Sequence, residues 1–385
     1  MSSRHPMQDV PPRLLYVVSE DWYFLAHRLP MARAARDAGY EVHVATRVVD
    51  GAPAIEAEGF KLHPIPFRRG RVALFSALNT MFTLRRLHHD IAPTIAHHVA
   101  LQVIVLGSLA SLGRLTPVVN AFTGFGFIFT SETMKARLLR PVIVVLLRLL
   151  CMRKKTVVLV ENPDDRDALV SLGIASDHIT VIPGSGVDIR RFQPMAEPAG
   201  TPTIAFVGRL LEDKGIRTLV TAIRLLNSRA HTVDLLIAGD VDPANPASIS
   251  ASELTDWTRD PNVRWAGHVK DIAEIWAQAH IAVLPSRREG LPMALVEAAA
   301  CGRPLIATDV PGCREVVRPG ETGLLVPFNE PTSLANAIRQ LADSPSLRQR
   351  YGAAASRLAV EKFSARAIGD QIVQLYKHLV GGFSP

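Results

Sequence analysis

Cysteine is scarce in this sequence: Cys151, Cys301 and Cys313 are the only three among 385 residues. They have no paired metal-ligand spacing, so a disulfide framework is not expected, and a reducing cytoplasmic setting fits. Aromatic residues make up only 6%. They are not interleaved with the basic residues, and no nucleic-acid module is recognisable, so a nucleic-acid partner is not expected. No run approaches the ~20 apolar residues that span a bilayer. The most apolar stretch, Pro141 to Leu150, is interrupted by Arg148. Residues 1–12 lack the apolar core of a signal peptide and read as a disordered lead-in.

What is present is globular. Hydrophobic residues make up 48% and charged residues 21%, and 385 residues exceed one comfortable core, so two domains are expected. The formal net charge is +7, and all of it lies in the first half. Met1 to Ala196 holds 23 Lys+Arg against 16 Asp+Glu, whereas Glu197 to Pro385 holds 20 of each. Such asymmetry points to an anionic partner for the N-terminal half. Lys135, Arg137 and Arg140 precede the apolar stretch, and Arg148, Arg153, Lys154 and Lys155 end it. A helix of this kind can lie on an anionic membrane surface or serve as a core helix with charged ends.

Short β-rich runs alternate with helical patterns throughout, the signature of parallel βαβ units. Strands are expected at Arg13–Val18, Glu41–Thr46, Pro117, Thr156 and Ile179, then at Thr203, Thr232, Val263, Ala279 and Arg303. The proline-rich segment around Pro194, Pro198 and Pro202 reads as a linker over residues 193–202, between a domain at 13–192 and one at 203–363. A last helix, 364–385, is long enough to cross back to the first domain. Two Rossmann-like, doubly wound α/β domains would then face a central cleft, with ligands at the carboxyl ends of their strands.

The sharpest chemical signal is Glu289-Gly290-Leu291-Pro292-Met293, followed by Glu297. Pro292 suits a first helical turn, and a helix start after Gly290 offers free amides and a positive dipole end to a diphosphate. Glu289 could hold sugar hydroxyls on one side of that group and Glu297 ribose hydroxyls on the other. The second signal runs from Phe206 to Gly215. A strand enters Gly208, and Arg209 and Lys214 follow, a planar fork and a point charge suited to a leaving diphosphate. Asp240, after Gly239, caps a turn or touches the nucleotide. The triplet Asp164-Asp165-Arg166-Asp167 could suggest a metal. It follows Asn162-Pro163 and precedes a helical pattern, so helix capping accounts for it, and no metal is expected.

Taken together, GRLLEDKG, IAGD, VRWAGHV, LPSRREGLPMALVEAAACGRPLIATDVPG and ETGLLVP resemble glycosyltransferase family 4, the retaining group with the GT-B fold. The resemblance implies that Arg209 and Lys214 bind the donor diphosphate, that Glu289 contacts the transferred sugar and that Glu297 binds the ribose. It puts His268 and Val269 beside the nucleobase and a uridine diphosphate sugar in the donor site. It also implies retention of the α configuration, with the leaving diphosphate helping to remove the acceptor proton.

The N-terminal half departs from the family's usual Gly-Gly loop after the first strand, having SEDWYFLAHRLP instead. With TIAHHVA, VNAFTGFGFIFTS, ENPDDRDALVSLG and PGSGVD, it is similar to a branch that adds a sugar, an N-acetylhexosamine or hexose, to a saccharide on polyprenyl diphosphate. That resemblance implies a peripheral place on the inner face of the cell membrane and a role for His97 as a cleft residue. Phe24, His27, Gly124, Phe125 and Gly126 are candidates for acceptor contact. The alternatives are a non-catalytic nucleotide-sugar binder or another GT-B enzyme. The Glu-x7-Glu arrangement speaks against an epimerase, and no segment suggests the pyridoxal phosphate lysine of a phosphorylase.

Overall fold

The computed structural model describes residues 11–67, 74–124, 134–229, 231–242, 245 and 247–381, with backbone alone at 74 and 134–139. The chain divides into two units, Met1–Ser185 with Ile368–Pro385, and Gly186–Ala367.

In the first unit, β1 (Arg13–Glu20), β2 (Glu41–Arg47), β3 (Lys61–Pro64), β4 (Ile95–Val99), β5 (Val118–Ala121), β6 (Thr156–Val160) and β7 (Ile179–Val181) form one sheet. Their order is β3-β2-β1-β4-β5-β6-β7, and all pairs are parallel. Strands β4, β5 and β6 are buried along their whole length, as expected where helices cover both faces. Alternation along β1 shows the two layers. Leu14, Tyr16 and Val18 pack with Met31, Ile368, Ile372 and Tyr376. Leu15 and Val17 pack with Leu84, Val103 and Leu106 on the other face. The helix Ala365–Val380 thus supplies the first unit with core from the far end of the chain, through Ile368, Ile372, Tyr376 and Leu379.

In the second unit, β8 (Thr203–Val207), β9 (Asp234–Ala238), β10 (Val263–Trp265), β11 (Ile281–Leu284), β12 (Leu305–Thr308) and β13 (Gly323–Val326) are also all parallel, in the order β10-β9-β8-β11-β12-β13. The order reverses between β8 and β11. At such a switch point the loops after the two neighbouring strands diverge and leave a crevice at their carboxyl ends. Here those loops carry Gly208–Lys214 and Pro285–Pro292.

The proline-rich segment lies along the second unit. Phe192 enters its core, and Met195 N donates to Cys301 O at 3.2 Å. Arg303 Nη2 donates to Ala196 O at 3.0 Å. Arg348 holds Glu197 through Nε at 2.9 Å and Nη2 at 2.6 Å. Proline content reports the lack of regular secondary structure, and these distant arginines decide what the segment packs on.

Candidate functional site

Backbone constraints bring the two loops at the switch point together. Gly215 sits at φ +69°, where a side chain is strained, and a Cβ there would fall 2.0 Å from Pro285 O. Arg287 N donates to Asp213 O at 2.8 Å. With the backbones locked, Lys214 Nζ reaches Glu289 Oε1 at 2.6 Å, and the two side chains are only 24% and 10% exposed. Arg209, five residues earlier, is exposed. The helix Met293–Ala300 begins immediately after Pro292, which is its N-cap residue and not part of its first turn. Gly290 precedes it, and Leu291 is buried beneath. Lys214, Glu289 and a helix start therefore meet at the switch point, with Arg209 on the same loop as Lys214. Such a set can hold a polyphosphate and a hydroxyl-rich neighbour without a metal-ligand cluster.

Glu297 lies one turn further along that helix. Burial pushes its carboxyl up to about 7, against the opposing pull of Arg191 and the Trp276 indole. Neither of those two residues stands out in the sequence. Arg191 follows β7 by ten residues and pairs with Asp271 at 2.9 Å. Trp276 is a fully buried core residue. Hydroxyl donors arriving at Glu297 would favour its ionised form. Ligand binding then releases a proton, and affinity should be about tenfold weaker at pH 6 than at pH 8, the fall setting in near pH 7, where the carboxyl titrates in the free protein. Calorimetry in buffers of different ionisation enthalpy checks this, and Glu297→Gln should abolish the proton release.

On the other side of β8 the strand ends are laced together. Gly208 N donates to Ala238 O at 3.0 Å, Leu210 N to Asp240 O at 3.0 Å and Gly239 N to Gly267 O at 2.9 Å. Gly239 has φ +142°, and a Cβ there would meet Gly208 O at 1.9 Å, so glycine is required. Asp240 and His268 come together at 3.3 Å, both exposed. Val269 is half-buried against the core. Beside them Trp265 donates through Nε1 to Gly239 O at 2.9 Å while 41% exposed.

The first unit corrects two expectations. His97 and His98 are consecutive on the central strand β4, so they face opposite layers, and both are fully buried. His97 stacks on Tyr16 at 4.8 Å, and its Nδ1 is 2.6 Å from the Tyr376 hydroxyl. Burial, with Arg28 and His98 nearby, holds it well below the ordinary histidine range, so it is neutral. An open, cleft-facing His97 is not what is found, because the C-terminal helix covers it. Phe24, expected to touch an acceptor, is likewise fully buried, edge-on to Tyr16 at 5.7 Å and near Phe60 at 6.1 Å. His27 is half-buried, its ring 4.5 Å from that of Tyr23. Gly124 has φ +112°, and a Cβ there would meet nothing within 4 Å among the described residues. Phe125 and Gly126 lie outside the described residues.

Tyr376 also lies 2.8 Å from the Tyr16 hydroxyl, so one phenol serves two buried groups. Tyr376→Phe should destabilise the protein by about 2 kcal/mol, visible in a denaturant titration as a lower midpoint with unchanged slope.

The Asp164–Asp167 stretch does begin a helix. Asn162 caps Pro163–Ser171, accepting from Asp165 N at 2.8 Å, with Asp164 and Asp165 in the first turn.

Residues 201–344 match the family described as glycosyl transferases group 1, and residues 13–162 match the glycosyl transferase 4-like family. A capsular polysaccharide biosynthesis glycosyltransferase, CapM of Staphylococcus aureus, is 26% identical over 89% of this chain and 90% of its own length. An N,N'-diacetylbacillosaminyl-diphospho-undecaprenol alpha-1,3-N-acetylgalactosaminyltransferase of Campylobacter jejuni is 24% identical over 92% and 95%. Among solved structures, sucrose-phosphate synthase of Thermosynechococcus elongatus superposes with a TM-score of 0.81 at 21% identity, covering 96% of this chain and 99% of that one. Anabaena HepE in complex with UDP-glucose gives 0.76 at 19% identity, covering 94% and 98%.

Proposed function

Since the chain belongs to the family-4-like glycosyltransferases with the GT-B fold and transfers a sugar from a nucleotide-sugar donor, we propose that the donor is a UDP-sugar and the acceptor a saccharide on a polyprenyl diphosphate at an anionic membrane surface. The observation that carries the donor assignment is the junction of Lys214, Glu289 and the helix Met293–Ala300 at the switch point of the second sheet. Lys214 and Arg209 take the diphosphate with the helix dipole, Glu289 takes sugar hydroxyls, and Glu297 takes the ribose. Asp240, His268 and Val269 border the base. An acceptor hydroxyl attacks the anomeric carbon, the bond to the diphosphate oxygen breaks with its electrons, and the departing diphosphate accepts the hydroxyl proton. Charge accumulates where the two cations stand, so most of their stabilisation falls in the transition state. The Anabaena protein with bound UDP-glucose supports the nucleotide, and the name of the Campylobacter relative supports the carrier.

Support for a membrane-facing first unit comes from two helices. Along Leu74–Ile91, Phe75, Leu78 and Phe82 are exposed at i, i+3, i+7 spacing, while Thr80, Leu84, His88 and Ile91 are buried opposite them. Along Met134–Cys151, Val142, Val145 and Leu149 repeat the same spacing, opposite buried Leu147, Leu150 and Cys151. Both helices pack on Leu101–Ala110, so both stripes leave the same layer on the side away from the sheet. Exposed Arg85, Arg86, Arg148 and Lys154 lie beside them. Apolar stripes flanked by cations suit the interface of an anionic bilayer. Among the described residues no helix is long and apolar enough to cross one.

Purified protein incubated with a panel of nucleotide sugars and a polyprenyl-diphosphate-linked saccharide tests the reading through nucleoside diphosphate release. Acceptor-dependent release from one UDP-sugar is expected. Equal rates with free and lipid-linked saccharides would overturn the acceptor assignment, and release only from another nucleotide would overturn the donor.

A further inference from the structure

We infer that the Lys214–Glu289 ion pair is an exchange latch that lets the site distinguish a sugar-bearing nucleotide from the bare nucleoside diphosphate. The inference rests on the donor site proposed above and gives Glu289 a second task within it.

Three observations carry the inference. The pair is close, 2.6 Å between Nζ and Oε1, and largely shielded, at 24% and 10% exposure. Its geometry is set by backbone. Besides Gly215 against Pro285 O and the Arg287–Asp213 bond, a Cβ on Gly312 would fall 2.1 Å from Gly290 O and 2.8 Å from Glu289 O. The loop carrying Glu289 is therefore pinned on one side by the Lys214 turn and on the other by Gly312. Finally, the two cations are unequal. Arg209 is exposed and makes no ion pair among the described residues, whereas the charge of Lys214 is already engaged.

A diphosphate arriving at the crevice thus meets Arg209 freely but must take Lys214 from Glu289. A nucleotide sugar compensates that loss, because its sugar hydroxyls donate to the released carboxylate while its phosphate oxygens accept from the lysine. Bare UDP satisfies only the lysine and leaves Glu289 unpaired beside an anion, in a shielded place where an unpaired charge is costly. After transfer the sugar has gone, the pair re-forms and the diphosphate is released more readily. The same pair therefore opposes product retention while being neutral toward the donor.

The test is a double-mutant cycle on UDP affinity by calorimetry, using wild type, Glu289→Gln, Lys214→Met and the double variant. Thermal melts confirm folding, and the double variant restores a neutral, similarly sized pair. Glu289→Gln should bind UDP roughly tenfold more tightly than wild type and bind the UDP-sugar more weakly, a split of opposite sign. In the Lys214→Met background the same substitution should give little further gain. Unchanged or weaker UDP binding in Glu289→Gln would overturn the latch. So would an equal gain in both backgrounds, which would mean simple repulsion between the carboxylate and the phosphates. Absence of UDP binding by wild type would instead overturn the donor-site reading itself, and the latch with it.

Discussion

Lys214→Ala is expected to lower turnover by roughly 10²–10³-fold while weakening donor affinity by less than about tenfold. In the free protein the lysine's charge is already neutralised by Glu289 at 2.6 Å, so the ground-state complex gains little net attraction from it. As the glycosidic bond breaks, negative charge moves onto the diphosphate oxygens, and a fixed cation in a shielded crevice gains value at that point. Steady-state rates against donor concentration separate the two effects. A raised KM with unchanged turnover would mean that Lys214 only anchors the donor. Arg209→Ala should shift the balance the other way, toward affinity, because that guanidinium is exposed and makes no ion pair among the described residues.

The double substitution Phe82→Glu with Leu149→Glu should weaken binding to vesicles containing phosphatidylglycerol by about 1,000-fold or more and leave UDP affinity unchanged. Both side chains point away from the sheet, 61% and 67% exposed, so their replacement removes no core contact and folding should survive. Full burial of one such side chain contributes about 1.5–3 kcal/mol, and each new carboxylate is repelled by anionic lipid by about 1 kcal/mol. Summed over the two helices, the two effects come to about 5–8 kcal/mol, enough to abolish sedimentation with vesicles. Replacing Arg85 and Arg148 by Gln should weaken binding mainly at low salt, since exposed charges act through a screened field. Unaltered vesicle binding in the double glutamate variant would remove this layer as the membrane-facing surface.

Much of the second unit was legible in the linear chain. Strand, glycine, then Arg209 and Lys214 within eight residues is a local pattern, and so is the run from Glu289 to Glu297. Each depends on neighbours in sequence, where spacing is information. The strand at Lys61–Pro64 was not foreseen, because four residues on a sheet edge, two of them exposed, carry too little hydrophobic pattern to register. The raised carboxyl of Glu297 was equally invisible, since it follows from burial in the folded structure, and Arg191 and Trp276, which pull the other way, lie more than twenty residues away along the chain.

The first unit shows the opposite balance. The resemblance puts His97 in a cleft, but both it and its neighbour His98 are buried. Their burial is decided by partners that no local window contains. Tyr376 stands 279 residues from His97, and the ring of His98 fills the space left by Gly107. Likewise the proline-rich segment is assigned to the second unit by Arg303 and Arg348, over a hundred residues away.

Alternating strand and helix patterns, the two loops carrying Arg209, Lys214 and Glu289 and the charge asymmetry were determined by the sequence alone, because each follows from short-range periodicity or simple counting. The meeting of Lys214 with Glu289, the closure of His97 and Phe24 and the shared outward face of two helices were decided only by the tertiary structure. Each requires groups far apart in the chain to share one small volume, and that proximity is set by strand order and packing.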